Sequence, residues 1–244
     1  MVRSLVLRVC LSLGVASAAL GEEPAPPPVE QRPLRDPPSD AVLPTLETFQ
    51  AALEPFGRWL RTPEQGLAWS PTGAGWGWRP YSNGRWVFTE EGWTFASDEP
   101  WAWATFHYGR WVLTPAYGWL WIPGYEWAPA WVTWRYSGGY VAWAPMGPAG
   151  LPAAYYEAPG VWVAVGAAVF DQLLSPSFLV PVPRLELALR GTYFAGLPRL
   201  GFYLSPPARH FERLLRHSVP RVPMHGAVPH RYEPGRRRPG RGGR

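Results

Sequence analysis

Aromatic and cationic side chains account for most of the groups in this chain that can recognise a ligand. The 244 residues include 16 tryptophans, 11 tyrosines and 23 arginines, with no lysine. Aromatic rings stack on flat apolar faces such as those of sugar rings, and guanidinium groups bind carboxylates and phosphates. Eight residues in loops and at repeat positions are our candidate binding residues: Trp78, Tyr81, Trp103, Tyr108, Tyr117, Tyr125, Arg85 and Arg110.

The sequence offers few groups for catalysis. Its single cysteine, Cys10, lies in an N-terminal apolar stretch, and the chain has no Gly-x-Ser-x-Gly, His-Glu-x-x-His or phosphate-loop motif. The histidines are spaced too irregularly for a metal site, and His107 is expected to be a hydrogen-bonded structural residue. We therefore predict a chain that is not an enzyme, with no catalytic residue, no metal site and no cofactor.

The acidic residues do not form an obvious catalytic pair. Asp98 and Glu99 precede Pro100, where a turn is expected. Glu126 and Asp171 are the semi-isolated carboxylates that remain for a glycosidase, an enzyme class that needs two carboxylates across a cleft. A carbohydrate-active hydrolase that uses Glu126 is therefore an alternative function for this chain.

A tryptophan-rich repeat supplies the elements that must position these residues. Fifteen of the 16 tryptophans fall between Trp59 and Trp143. A Gly-Arg-Trp unit occurs three times and a degenerate copy occurs once: Gly57-Arg58-Trp59, Gly84-Arg85-Trp86, Gly109-Arg110-Trp111 and Gly138-Gly139-Tyr140. The spacing between copies is roughly 25 residues, which accommodates two or three short strands per copy.

The second half of each copy predicts a β-hairpin with a defined register. Side chains alternate between the two faces of a strand, so the large aromatic residues share a face only in one register. The predicted pairs are Phe88 with Trp93, Trp86 with Phe95, Leu113 with Trp119, and Trp111 with Trp121. The same alternation directs the repeat arginines away from the aromatic face, where a solvated row that stacks on nearby rings is the simplest expectation.

The fold class follows from these hairpins: mainly β, an antiparallel meander of short tryptophan-rich hairpins that either closes into a barrel or stacks. A third strand of each copy is expected around Trp101 and Trp103, with counterparts at Trp76 to Trp78 and at Trp127 to Trp134. One short N-terminal helix is predicted between Thr45, which can cap it, and Pro55.

Outside the repeat, the chain divides into segments of different composition. Residues 1–21 are typical of a cleaved signal peptide, with a transmembrane anchor as the alternative, and residues 22–44 form a proline-rich linker. Residues 45–190 are the predicted domain, with repeats over 57–145, a strand at Val161–Val165 and a last strand at Leu185–Leu189. Residues 191–244 are predicted to be an arginine-, proline- and glycine-rich, largely disordered tail that contains a short helix at Ala208–His217.

The repeat region resembles an uncharacterised tryptophan-rich domain found in exported proteins of Gram-negative bacteria. The residues that carry the resemblance include Trp78-Arg79-Pro80-Tyr81, Gly84-Arg85-Trp86-Val87, Gly92-Trp93-Thr94-Phe95, Pro100-Trp101-Ala102-Trp103, His107-Tyr108-Gly109-Arg110-Trp111-Val112, Gly118-Trp119-Leu120-Trp121 and Tyr140-Val141-Ala142-Trp143. The resemblance covers about residues 55–165. It implies export and a repeated β domain, and it implies no reaction.

These observations predict a non-catalytic protein of the periplasm or outer envelope, or a secreted one. Its β-repeat domain is expected to be a scaffold, or a binding module for cell-wall glycan or an anionic envelope surface. A structural subunit that needs a protein partner is a further alternative. Nucleic acid is not an expected partner because the chain is exported, and no transmembrane anchor is expected after cleavage of the signal. The simplest explanation of the tryptophans is that they form the core, since each ring buries about 150–250 Å².

Overall fold

The computed structural model describes residues 30–33, 43–74, 77–137, 139–196 and 202–224. The predicted signal peptide, most of the proline-rich linker and the arginine run near residue 240 lie outside these residues, as do Trp76 and Gly138. Within the described ranges, no helix combines the length and the apolar character needed to cross a bilayer.

The described chain forms thirteen short strands and four short α-helices. The strands are β1 (Glu30–Pro33), β2 (Gly57–Thr62), β3 (Gly66–Pro71), β4 (Arg85–Thr89), β5 (Gly92–Ala96), β6 (Arg110–Thr114), β7 (Gly118–Ile122), β8 (Val132–Tyr136), β9 (Tyr140–Pro145), β10 (Val163–Gly166), β11 (Tyr193–Phe194), β12 (Phe202–Ser205) and β13 (Arg221–Val222). The helices are α1 (Leu46–Leu53), α2 (Ala102–Thr105), α3 (Val182–Leu189) and α4 (Ala208–Leu215).

The strands associate into four separate sheets, with strand orders β2-β3-β7-β6, β10-β9-β8-β11, β13-β4-β5 and β1-β12. The predicted mainly β fold built from antiparallel hairpins is therefore confirmed, and the described strands form separate sheets rather than one closed barrel. One pairing is parallel: β13 lies beside β4, with Arg221 opposite Phe88. This strand comes from the C-terminal segment and reaches β4 from outside the repeat.

The predicted hairpin registers are confirmed. In the β4–β5 hairpin, Trp86 is opposite Phe95 and Phe88 is opposite Trp93. In the β6–β7 hairpin, Trp111 is opposite Trp121, with Leu113 opposite Trp119. The first repeat forms an equivalent β2–β3 hairpin. These registers follow from burying one aromatic face of each hairpin, which a one-residue slip would turn toward water.

The predicted N-terminal helix is also confirmed, and its start has a local cause. The Thr45 hydroxyl accepts a hydrogen bond from the Thr48 backbone N–H at 3.3 Å, and the Thr48 hydroxyl accepts one from the Thr45 N–H at 3.2 Å. This reciprocal capping satisfies two backbone donors at the helix start. Phe49 and Leu53 lie one turn apart on the buried face of α1.

The fourth copy differs from its predicted arrangement. The residues of its two predicted halves, around Tyr140 and Trp143, lie in the single strand β9 rather than in two arms of a hairpin. Strand β9 pairs instead with the preceding strand β8, so that Trp134 is opposite Trp143. The strand predicted at Val161–Val165 is present as β10, which extends the same sheet.

Two segments that we predicted as strands are helices. Trp101 is the N-cap of α2 and Trp103 lies within it, in a segment whose alanines are strong helix formers. Leu185–Leu189 lies in α3, where Leu185, Ala188 and Leu189 are buried at the i, i+3, i+4 spacing of a helix face. The two-residue alternation of apolar side chains suggested strands, but the secondary structure of these segments is determined by which side chains are buried in the folded protein.

The packed domain continues beyond the boundary predicted at residue 190. The helix predicted at Ala208–His217 is present as α4, and Phe211 and Leu215 on its inner face are buried. Phe211 stacks on Phe170 with ring centroids 4.6 Å apart. Strand β12 also contacts the core, because the Leu204 carbonyl accepts a hydrogen bond from the Trp134 indole N–H at 3.3 Å. Residues assigned to the tail from composition therefore belong to the folded unit.

Cross-strand tryptophans form the centre of the core. In the four-stranded sheet of β2, β3, β7 and β6, one aromatic row crosses all four strands, in the order Trp59, Trp69, Trp121 and Trp111. Phe170 packs against aromatic residues of the other two large sheets and of α4: Trp86, Trp93, Trp134, Trp143 and Phe211. The sheet that contains β4 and β5 and the sheet that contains β8 and β9 are thus joined through ring contacts.

The glycine of each Gly-Arg-Trp unit lies against the second strand of its own hairpin. A Cβ added at Gly57, Gly84 or Gly109 would lie 2.3 Å from a backbone carbonyl oxygen. It would also lie within 2.9 Å of an aromatic side chain, namely Trp69, Phe95 and Trp121 respectively. The repeated glycine is therefore explained by close approach of the backbone to a core ring.

Substituting this glycine should destabilise the domain far more than substituting a loop glycine of the same conformation. Gly109 and Gly118 have φ of +65° and +69°, but a Cβ at Gly118 meets no atom within 4 Å. We expect Gly118→Ala to lower the free energy of unfolding by about 1 kcal/mol. We expect Gly109→Ala to lower it by about 3 kcal/mol or more because of the added steric clash. Urea unfolding followed by tryptophan fluorescence measures both, and equal losses would contradict the close-approach explanation.

Candidate functional site

The tryptophans are core residues. Of the 15 tryptophans that the structure describes, eleven are buried and four are half-buried, the latter being Trp59, Trp78, Trp101 and Trp127. Seven indole N–H groups donate to backbone carbonyls, those of Trp69, Trp111, Trp121, Trp131, Trp134, Trp143 and Trp162. The described tryptophans therefore offer no exposed row of rings to a ligand.

Three of the candidate binding residues lie in this core. Tyr81, Trp103 and Tyr108 are buried, with at most 6% of each residue exposed. The Tyr81 hydroxyl donates to the Phe106 carbonyl at 3.1 Å and accepts from the Trp131 backbone N–H at 3.2 Å. Burial raises the pKa of Tyr81, so its hydroxyl stays protonated at neutral pH. These side chains position neighbouring loops and have no free face for a ligand.

The exposed candidate rings lie apart from one another. Tyr117 is 47% exposed in the β6–β7 turn, and Tyr125 is 49% exposed just beyond the other end of β7. A five-residue strand is about 16 Å long, so the two rings do not form one stacking surface. Tyr125 instead covers the buried ring of Phe49, with centroids 6.0 Å apart.

The two candidate arginines have different surroundings. Arg85 is exposed at the start of β4. The Arg110 guanidinium lies 3.4 Å from the ring centroid of Trp131, and burial lowers its pKa. Its Nη2 atom is 4.0 Å from Glu126 Oε2. The predicted stacking of a repeat arginine on a ring is thus present at Arg110, where the cation covers a core tryptophan.

The carboxylates considered for a hydrolase are not arranged as a buried pair. The Glu126 side chain is 57% exposed and its nearest described cation is Arg110. Asp171 lies 3.3 Å from the Nε2 atom of His217. Among the described residues, no three histidine, cysteine, aspartate or glutamate side chains lie close enough together to hold a metal ion. His107 has the structural position expected of it, with Nδ1 3.1 Å from the Ala128 carbonyl oxygen.

The acid Glu99, which precedes Pro100 where a turn was expected, is buried. Only 8% of Glu99 is exposed. Its Oε1 atom accepts hydrogen bonds from the Trp78 indole N–H at 3.0 Å and the Asn83 side-chain amide at 3.3 Å. Its Oε2 atom is buried without a hydrogen bond of good geometry, although the Trp101 indole is close enough to affect its titration. Burial raises the pKa of Glu99, and the three N–H donors oppose that rise only in part.

Glu99 joins two loops that precede repeat units. Trp78 and Asn83 belong to the turn before β4, and Glu99 follows β5. The sequence spacing between these residues is about twenty positions, so no local pattern connects them. The one available signal was Pro100, which fixes the backbone after Glu99 but carries no information about burial.

The most distinctive charged surface is the outer face of α4. Arg209 and Arg213 lie at i and i+4, a spacing that places their side chains on one face of α4, and Arg216 is the left-handed residue that follows the last helical residue. All three are exposed, and none forms an ion pair within the described part of the chain. They line an open groove of about 680 Å³ together with Glu212, His217 and Ser218. We call the three arginines the α4 arginine face.

The inner side of α4 holds this face in place. Phe211 and Leu215 are buried, and Arg216 ends the helix in a left-handed conformation with φ of +60°. His210 packs against Tyr136, with ring centroids 4.9 Å apart, and neither of its ring nitrogens has a hydrogen-bond partner among the described residues. Burial, followed by the charge of Arg213, lowers the pKa of His210. The arginines therefore project from a helix with an anchored apolar side.

The buried acid predicts a specific pH dependence. Because the pKa of Glu99 is raised on folding, the folded state binds its proton more tightly than the unfolded state does. Its effect on stability is most favourable below the pKa of an unfolded glutamate and is lost as pH rises through the folded-state pKa. We expect Glu99→Gln to gain stability relative to the parent as the pH is raised from about 4 to 8. Urea unfolding at a series of pH values measures the difference.

Glu126→Gln is the matched control, because the Glu126 side chain is 57% exposed. Its difference from the parent should change little over the same pH range. An equal response of both variants, or a flat difference for Glu99→Gln, would show that Glu99 titrates like a solvated carboxyl group.

Comparisons with known proteins show that part of this chain is similar to a domain family. A family model described as a family of unknown function (DUF6600) matches residues 50–150. The match begins in α1 and covers the hairpins from β2 to β9, including all three Gly-Arg-Trp units. Searches of curated proteins and of solved structures found no match. Residues 50–150 are thus similar to an uncharacterised domain family, and α4 lies outside the matched range.

Proposed function

We propose that this chain is a non-catalytic exported protein of a Gram-negative cell envelope, whose β domain is a rigid scaffold for an anion-binding surface. The observation that carries the proposal is the α4 arginine face, in which two exposed arginines of α4 and a third just after the helix line one groove, while the other side of the helix is anchored in the core. The signal-like segment at residues 1–21 and the resemblance to exported tryptophan-rich proteins support the location.

The ligand class follows from the chemistry of this surface. Guanidinium groups bind carboxylates and phosphates, and exposed cations attract polyanions over about one Debye length. The groove carries three arginines and one carboxylate, and that carboxylate accepts a hydrogen bond from the Val219 N–H at 3.1 Å. An anionic component of the envelope, rather than a neutral glycan stacked on tryptophans, is therefore the ligand that we propose. The burial of the tryptophan rings supports this choice.

Charge reversal on α4 tests the proposal. The full exported chain and its Arg209→Glu/Arg213→Glu/Arg216→Glu variant are incubated with isolated peptidoglycan sacculi and outer-membrane fragments, and the bound fraction is measured by sedimentation. We expect the parent to bind one of these at low salt and to be released by about 0.5 M salt. We expect the variant to bind at least ten times more weakly, since each arginine near an anionic surface contributes about 1 kcal/mol.

A matched variant separates this effect from a change in net charge. Arg58, Arg61 and Arg184 are also exposed and lie outside α4. The triple variant Arg58→Glu/Arg61→Glu/Arg184→Glu should bind within about twofold of the parent if α4 is the binding face. Equal weakening of both triple variants, or binding that salt does not affect, would contradict the proposed site.

A further inference from the structure

An exposed leucine is fixed beside the α4 arginine face. The segment before it is held by Phe170, which stacks on Phe211 of α4, and by Asp171, which lies 3.3 Å from His217 Nε2. On the other side, Leu174 is buried and its backbone N–H donates to the Gly84 carbonyl at 2.7 Å. These contacts leave Leu173, which is 66% exposed, at the tip of a short anchored segment. We call Leu173 with its anchors the Leu173 tip.

Arginines from two elements surround this tip. Asp171 connects it to His217, the residue after Arg216, and Leu174 connects it to Gly84, the residue before Arg85. Consecutive Cα atoms are about 3.8 Å apart, so both connections place an exposed arginine within a few residue lengths of Leu173. Arg85 and Arg216, both exposed, are therefore the arginines next to the tip, and Arg209 and Arg213 lie on the helix that Arg216 ends. Two acids of this surface, Glu212 and Asp171, already have partners of their own.

We infer that the Leu173 tip and the α4 arginine face together dock on an anionic lipid bilayer, with the leucine side chain between headgroups and the guanidinium groups on phosphates. The inference rests on the proposed function and names its anionic ligand. An anionic membrane surface attracts clustered basic residues, and an apolar side chain that enters the interface adds burial that a soluble polyanion does not provide.

The fixed geometry of the tip distinguishes it from other exposed apolar residues. Single exposed leucines are common on protein surfaces and need no ligand. Leu187 is 71% exposed on α3, but its helix neighbours Glu186 and Arg190 form an ion pair with each other at 2.8 Å. Leu173, in contrast, lies beside arginines that form no ion pair within the described chain. The arginines and the leucine can therefore contact the same ligand surface. Leu187 is therefore the natural control position.

Vesicle binding of the full exported chain tests the inference. Vesicles with about 30% phosphatidylglycerol in phosphatidylcholine, vesicles of phosphatidylcholine alone, and immobilised heparin as a soluble-type polyanion are the three probes. We expect the parent to bind the anionic vesicles at least ten times more tightly than the neutral ones. We expect Leu173→Asp to weaken binding to anionic vesicles at least tenfold and to leave heparin binding within about threefold. Leu187→Asp should change neither.

The outcomes separate the inference from the proposed function. The bilayer inference is overturned if the parent does not bind anionic vesicles, or if Leu173→Asp binds them as tightly as the parent does. Anion binding by the α4 arginine face still stands in that case if heparin binding depends on these arginines. If the α4 triple variant binds heparin and anionic vesicles as tightly as the parent does, both the inference and the proposed function are overturned. Thermal unfolding of Leu173→Asp should match the parent closely, because a side chain that is 66% exposed contributes little to the core. A large drop in Tm would show that the leucine is needed for folding and would contradict the exposed tip.

Discussion

The hydrogen bond from a buried indole N–H to a distant backbone carbonyl is the interaction on which this fold depends. A ring of this size contributes more apolar surface than any other side chain, and a buried N–H without a partner costs free energy. Among the described residues, seven indole N–H groups donate to backbone carbonyls, whereas four are buried without a hydrogen bond of good geometry, those of Trp59, Trp86, Trp93 and Trp101. Trp69 donates to the Leu53 carbonyl and ties the first hairpin to α1. Trp143 donates to the Tyr81 carbonyl, and Trp134 donates to the Leu204 carbonyl. Each of these bonds joins elements that no strand pairing connects.

This requirement explains why a tryptophan-rich chain has so few exposed rings. The four sheets are small, and contacts between aromatic rows hold them together: Trp86 lies 4.6 Å from Trp134 across two sheets. Rings that serve this purpose cannot also stack on a ligand. Under our proposal, recognition depends on side chains that lie outside this core, such as the exposed arginines of the α4 arginine face.

Local sequence patterns predicted the hairpins but did not predict how the hairpins pack together. Alternation of aromatic residues and glycine-terminated loops determined the registers of β4–β5 and β6–β7, because both are properties of adjacent residues. The capping residue Thr45 likewise marked the start of α1. Alternation of aromatic residues gave a wrong prediction at Trp101 and Trp103, which belong to a short helix and not to a strand. Every residue of that helix is buried, so apolar residues occur there without a helical period.

The parts of the candidate site that could not be predicted depend on contacts distant in sequence. Glu99 was expected in a turn, with no indication of burial, and its buried carboxylate accepts hydrogen bonds from donors about twenty residues earlier, at Trp78 and Asn83. The helix α4 was predicted, but as part of a largely disordered tail, so the packing of Phe211 and Leu215 in the core was not. Its anchor, Phe170, gave no signal of its own because an isolated phenylalanine has no period.

Hydrogen exchange of the indole N–H groups measured by NMR tests the central claim most directly. The seven that donate to backbone carbonyls should exchange only through global unfolding, and their signals should not move when envelope glycan is added. Rapid exchange at most of these positions, or glycan-induced shifts of their signals, would contradict a core held together by tryptophan side chains.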